Sequence, residues 1–176
     1  MSRVSHIQES EHPELAELID RIRGGRGGRL LNFYRALLHS PQLAATWMPF
    51  NDAVRRETLL DGRVRELTIM RVAILNGVDY VLNIHRARYA GPAGVTPDEC
   101  DALTDWARST LFSARDRAVL AYTDAMTREV EVNDAVFEAV REHFNERETV
   151  ELTVLVGAYN LHTRVLSALR IDPESA

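Results

Sequence analysis

Apolar residues recur along this chain at intervals of three and four, and nowhere alternate strictly with polar ones as a half-buried strand would require. Leu15, Leu18, Ile19 and Ile22 make the first such stripe; Pro13 suits its opening turn, and Gly24 with Gly25 ends it. Leu30, Phe33, Tyr34, Leu37 and Leu38 make a second helix that must stop before Pro41, because proline disfavours helical geometry in the residue before it. Ser40 and Pro41 open a third, with Trp47, Phe50 and Val54 on its apolar side and a kink predicted at Pro49. The stretch RELTIMRVAILNGVDYVLNIH, Arg65 to His85, reads as a buried helix, a break at Gly77 and a second helix. His85 falls on the apolar stripe Val78, Val81, Leu82, His85, Tyr89 of that second helix.

Helix starts are well marked in the second half. Thr96-Pro97-Asp98-Glu99 is a capping box with proline at the first helical position, and Ser113 with Asp116 signals another start. Asn133 can cap the next helix, with Val132 and Phe137 at staple spacing, and Asn145 with Glu148 precedes a long apolar helix reaching about Leu169. The chain is therefore expected to be all-α, a single-domain bundle of about eight or nine helices. Residues 1–29 make an N-terminal tail, a first helix and a Gly/Arg loop; 30–171 make the helical domain; 172–176 are a tail. Glu66-Leu67-Thr68 returns as Glu151-Leu152-Thr153, which would suit two helical halves related by pseudo-twofold symmetry.

Composition narrows the partners. A chain of 176 residues can bury roughly 70% of its unfolded surface, enough for a sizeable core. A net charge of −5 argues against general binding to nucleic acid or an anionic membrane, and leaves small molecules or proteins as partners. The segment RGGRGGR, Arg23 to Arg29, resembles an RNA-binding Arg-Gly tract, but one copy in an acidic chain reads as a loop. A single cysteine, Cys100, allows no intrachain disulfide, and the N-terminus lacks the apolar segment of a secretory signal. No apolar run approaches the ~20 residues of a membrane span, so the expected location is the cytoplasm.

A few residues could carry chemistry. Glu66 lies on a mostly apolar helix in line with Ile69, Met70 and Ala73, so its carboxylate must be paired or have its pKa raised. It could equally complement the helix dipole or pair with Arg65 or Arg71. A neutral imidazole at His85, oriented by a carboxylate, would be a general acid or base near neutral pH. Arg65 and Arg71 could hold an anion through bidentate contacts, although Arg71, charged in an apolar helix, suits a buried ion pair as well. His162 shares a stripe with Leu155, Tyr159 and Leu166, as a second pocket histidine or a hydrogen-bonded core residue. Tyr80 and Trp47 complete the candidate substrate-binding set. No HxxxH or HExxH pair supports a metal, and none is expected. Cys100, near a helix start, could have a lowered thiol pKa or be structural.

The stretch around Glu66 and His85 resembles the core motif of the carboxymuconolactone decarboxylase and alkylhydroperoxidase-D superfamily, and the resemblance runs from about Leu30 to Ile171. In the redox members a glutamate is followed twelve residues later by Cys-x-x-Cys, and four residues after the second cysteine by a histidine. Glu66 and His85 keep those spacings, but Val78 and Val81 occupy the cysteine positions. The resemblance implies helical subunits assembled as trimers or hexamers. It implies no cofactor, and a decarboxylase-type member without thiol peroxidase chemistry, since valine forms neither thiolate nor disulfide. The expected activity is a cofactor-independent lyase or isomerase acting on a small carboxylated or enolisable compound, expected to be anionic by the chemistry of Arg65 and Arg71. In it His85 exchanges the proton and Glu66 orients it. Two alternatives are a non-catalytic ligand-binding or assembly scaffold and a peroxidase acting through Cys100 alone.

Overall fold

The computed structural model describes residues 1–174; the last two residues of the expected 172–176 tail lie outside them. Among the described residues there are nine α-helices and no strand. In chain order they are α1 (Ala16–Gly24), α2 (Asn32–Leu37), α3 (Pro41–Arg56), α4 (Gly62–Leu75), α5 (Asp79–His85), α6 (Pro97–Ala102), α7 (Ala114–Arg128), α8 (Asp134–Arg141) and α9 (Glu146–Leu169). The chain divides into two compact units: Met1–Ala53 with the stretch from Val165 onward, and Val54–Arg164. The unit boundaries fall within α3 and α9, whereas the sequence reading divided the chain between Arg29 and Leu30.

In the first unit Ile19 and Ile22 of α1 and Phe33, Tyr34 and Ala36 of α2 are buried. Arg26 ties down the Gly/Arg loop, donating to the Tyr34 hydroxyl at 2.7 Å and to Asp52 at 3.0 Å. Gly27 and Gly28 take φ of 63° and 79°, the left-handed conformation that lets this loop turn. The two ends of the chain bond to each other: Ser2 N–H donates to Asp172, and Asn32 donates to the Asp172 carbonyl.

The second unit is built on α4. Nine of its residues are buried, from Val64 to Ala73, because α7 and α5 pack against it. Leu67, Met70, Cys100, Leu103, Phe112 and Leu120 gather in one core cluster. The capping boxes read from the sequence form as expected, Thr96 with Glu99 and Ser113 with Asp116. Their acids also serve a longer-range purpose, since Arg63 near the start of α4 bonds both Glu99, at 2.5 Å, and Asp116, at 3.0 Å. One guanidinium thus joins the N-terminal turns of three helices. At the other end of α4, Val78 N–H donates to the Ala73 carbonyl and Gly77 N–H to that of Ile74, with Gly77 at φ 64°. This is a Schellman motif, whose left-handed residue glycine adopts without a Cβ penalty, and it turns α5 back along α4. The sequence echo does not extend to environment: Glu66 is buried, while Glu151 accepts from Leu59 N–H and from Arg147.

Candidate functional site

The turn at Gly77 brings the end of α5 over the second turn of α4. Glu66, 2% exposed, and His85, 5% exposed, meet there, with His85 Nδ1 2.5 Å from Glu66 Oε2. The other carboxylate oxygen lies 3.7 Å from Arg65 Nε. Burial pushes the His85 pKa below its ordinary value; the bond to Glu66 opposes that shift, and the nearby charges of Arg55 and Arg65 reinforce it. A neutral ring beside a carboxylate carries its hydrogen on Nδ1 and donates it to Glu66.

After His85 the backbone widens into a π-helical turn, Arg86–Ala90, where the stripe pattern predicted a continuing α-helix. Tyr89 within it is 37% exposed, with its ring centre 5.1 Å from that of His85. From α9, the Tyr159 ring stands nearly perpendicular to that of His85 with the ring centres 5.7 Å apart, and the His162 ring centre lies 5.9 Å from that of Tyr159. Arg55, at the end of α3, places its guanidinium 4.8 Å from the Tyr89 ring centre. Burial works against the Arg55 charge, but the phenols of Tyr159 and Tyr89, a hydrogen bond to Tyr89 and the Glu66 carboxylate outweigh it and keep the pKa above the ordinary arginine value.

These residues border an open cavity of about 280 Å³, lined by Arg55, Arg56, Gly62, Arg65, Glu66 and Tyr89, with Pro92 and Ala93. Three arginines and one glutamate line it, an excess of positive charge that favours anions. Glu66 fronts the cavity, and His85 stands behind Glu66. A second, larger cleft of about 540 Å³ runs past Asn83, Arg86, Ala90 and Cys100. Cys100 is buried there, and that burial pushes its thiol pKa up, opposite to the lowering considered from its place near a helix start.

The other sequence candidates lie as follows. Arg71 is 3% exposed and committed to structure: it binds Asp124 bidentately, both contacts at 2.6 Å, and donates to the carbonyls of Leu103 and Thr104. That arrangement corrects its assignment as a substrate anchor, since each face of its fork already has an acceptor. Tyr80 is half-buried on the first turn of α5 and lines neither cavity. Trp47 belongs to the first unit, its ring centre 5.2 Å from that of Phe33. Arg55, Arg56 and Tyr159 were missing from the sequence set. Two arginines closing a helix read as ordinary complements to its dipole, and only Tyr159's place on the His162 stripe pointed toward it. Among the described residues no three His, Cys, Asp or Glu side chains gather as metal ligands, and no helix is long and apolar enough to cross a membrane.

This helical scaffold has relatives. Residues 41–125 match the carboxymuconolactone decarboxylase family. The uncharacterized protein YnjA of Escherichia coli (strain K12) is 33% identical over 121 residues, which span 68% of this chain and 66% of YnjA, just under two thirds of its length. An uncharacterized peroxidase-related protein from Silicibacter sp. TM1040 superimposes with a TM-score of 0.82 at 22% identity, over 99% of this chain and 92% of that one. The debrominase Bmp8, in complex with 2,3,4-tribromopyrrole, does so at 0.81 with 16% identity, over 99% and 95%; at such identities these two likenesses concern the fold alone. Over residues 41–125 the chain is thus similar to the carboxymuconolactone decarboxylase family, and its fold is that of alkylhydroperoxidase-D-like structures.

Proposed function

We propose that the protein is a decarboxylase-type member of the carboxymuconolactone decarboxylase and alkylhydroperoxidase-D-like superfamily, a lyase or isomerase that moves a proton on a small anionic, enolisable compound without a bound cofactor. One observation carries this reading: the Glu66 carboxylate is held from behind by His85 at 2.5 Å and lines a cavity with Arg55, Arg56 and Arg65. The roles differ from those first expected. Glu66, which fronts the cavity, takes a proton from the carbon next to a carbonyl or carboxylate, and the electron pair passes to that group's oxygens as an enolate. The guanidiniums oppose the growing negative charge. In an isomerisation Glu66 returns the proton to another carbon. In a decarboxylation no carbon-bound proton is taken first: carbon dioxide leaves with cleavage of its C–C bond, the electron pair of that bond passes to a neighbouring carbonyl as an enolate, and a proton drawn from water is delivered by way of Glu66 to the carbon that it left. His85 orients the carboxylate throughout, which makes it a positioning residue.

The test needs no knowledge of the product. Small lactone acids and 2-oxo acids are incubated with the protein in deuterium oxide, and loss of the carbon-bound proton is followed by NMR. Wild-type protein should exchange one class of compound, and Glu66→Gln should slow that exchange by about 10² to 10⁴-fold. His85→Ala should retain more activity than Glu66→Gln. Exchange at the wild-type rate in Glu66→Gln would sink the assignment. The burial of His85, which does not itself border the cavity, favours a second reading, a ligand-binding scaffold without catalysis. That reading predicts saturable binding with no exchange in any variant.

A further inference from the structure

α9 carries apolar residues on two sides, and a helix that is hydrophobic all round is one with a neighbour on each side. Leu152, Leu155, Val156 and Tyr159 are buried and fill the side turned to the core of the second unit. On the opposite side Val150, Val154 and Leu161 are 42% to 62% exposed. Together with Gly157 they follow at steps of four, three and four residues, which keeps them in one narrow line along the helix. Leu59, whose backbone N–H donates to Glu151 at 2.7 Å, adds another exposed apolar side chain next to α9. Gly157 is the odd member of the line. Glycine weakens a helix, and a Cβ here would meet no atom within 4 Å, so nothing in the chain's own packing calls for one. We propose that this face of α9 pairs with the same face of a second copy of the chain, the two helices running antiparallel and crossing near Gly157, where the missing side chain lets the backbones approach.

The charges beside the line select that occupant and that direction. Arg147 and Glu151 already bond to each other at 2.9 Å. Glu146, at the start of α9, and Arg164, near its end, are both exposed, and neither has an ion-pair partner among the described residues. Arg164 makes only a 3.4 Å contact to the Thr127 carbonyl. The two stand eighteen residues, or five full turns, apart and so share one edge of the apolar line. An isologous antiparallel pair lays each edge along the same edge of the other helix, in the reverse direction. With the crossing at Gly157, Arg164 of one copy stands level with Val150 of the other, one helical turn from that copy's Glu146 and within reach of two long side chains. Symmetry makes the contact twice. A parallel pair would instead set Glu146 against Glu146 and Arg164 against Arg164. A second copy of the chain thus supplies the apolar line, the close approach and both halves of each ion pair.

Analytical ultracentrifugation of the full chain reads the mass in solution. Wild type should hold an even number of 19.9 kDa copies at micromolar concentration, and Val154→Asp should halve that number with its circular dichroism unchanged. Gly157→Gln, which favours the helix and meets nothing in its own chain, should weaken pairing by about tenfold or more. Arg164→Glu and Glu146→Arg should each weaken it by about tenfold or more, since each sets like charges together. The double variant, which exchanges the two charges, should recover most of the wild-type affinity. A wild type that stays monomeric would leave the face to a different partner and overturn the proposal. So would an odd number of copies, pairing untouched by Val154→Asp, equal or tighter pairing in Gly157→Gln, or a double variant that pairs no better than the single ones.

Discussion

Arg71 and Arg55 are guanidiniums of the same compact unit, and they are treated in opposite ways. Arg71 spends its donors on Asp124 and on two backbone carbonyls, with its side chain 4% exposed. Arg55 rests on an aromatic face, borders a cavity and keeps a buried Nε without a hydrogen-bond partner among the described residues. The difference separates an arginine that holds helices together from one that borders a cavity. Burial and charge alone do not distinguish them; the count of satisfied donors does.

The sharpest way to break this contrast is to remove each head group in turn. Arg71→Ala leaves the mostly buried Asp124 carboxylate without its bidentate partner and should lower the unfolding free energy by about 3 to 5 kcal/mol, read from urea denaturation. Arg55→Met removes a charge that no carboxylate pairs directly among the described residues, and should change stability by no more than about 1 kcal/mol. Equal losses in the two variants would erase the distinction.

A smaller effect concerns the turn that assembles the pair beneath the cavity. Gly77 has φ 64° and open space where a Cβ would stand, so Gly77→Ala meets no clash and should cost only the left-handed backbone penalty, about 1 to 2 kcal/mol. A loss well beyond that range would mean that the turn is tied to more than backbone conformation.

The smallest effect is a dependence on pH. The pKa of His85 is lowered on folding, so between that folded value and the unfolded ~6.5 the unfolded chain binds more protons than the native one. The contribution of His85 to stability is therefore complete above about 6.5 and is lost as pH falls through that window. Urea midpoints of wild type and His85→Asn, compared at pH 7.5 and 5.5, should show a steeper acid decline in wild type. A steeper decline in the variant would reverse the sign assigned to the pair.

How much of this was legible in the sequence depends on how far each signal reaches along the chain. Capping boxes such as Thr96 with Glu99 and Asn145 with Glu148 are closed within four residues, so the starts of α6 and α9 could be read directly. The approach of Glu66 to His85 was readable as a spacing across one glycine turn. The fate of Arg71 was left open because its acid lies on α7, fifty-three residues away, and no local pattern selects Asp124. Arg55 was overlooked for a related reason: its setting is Tyr89, and a stripe drawn with α-helical periodicity places Tyr89 without the widened turn in which it sits.

That widened turn has a genetic consequence. A π-helical turn closes its hydrogen-bonded ring with one residue more than an α-helix does, and in an α-helix each residue advances about 100° around the axis. Loss of a single codon between Arg86 and Tyr89 would let the segment relax into ordinary α-helix and swing the phenol away from Arg55 while the packed helices on either side kept their places. Insertions and deletions at this one turn, more than substitutions in the cavity wall, are where lineages built on this scaffold can gain or lose the aromatic floor of the site.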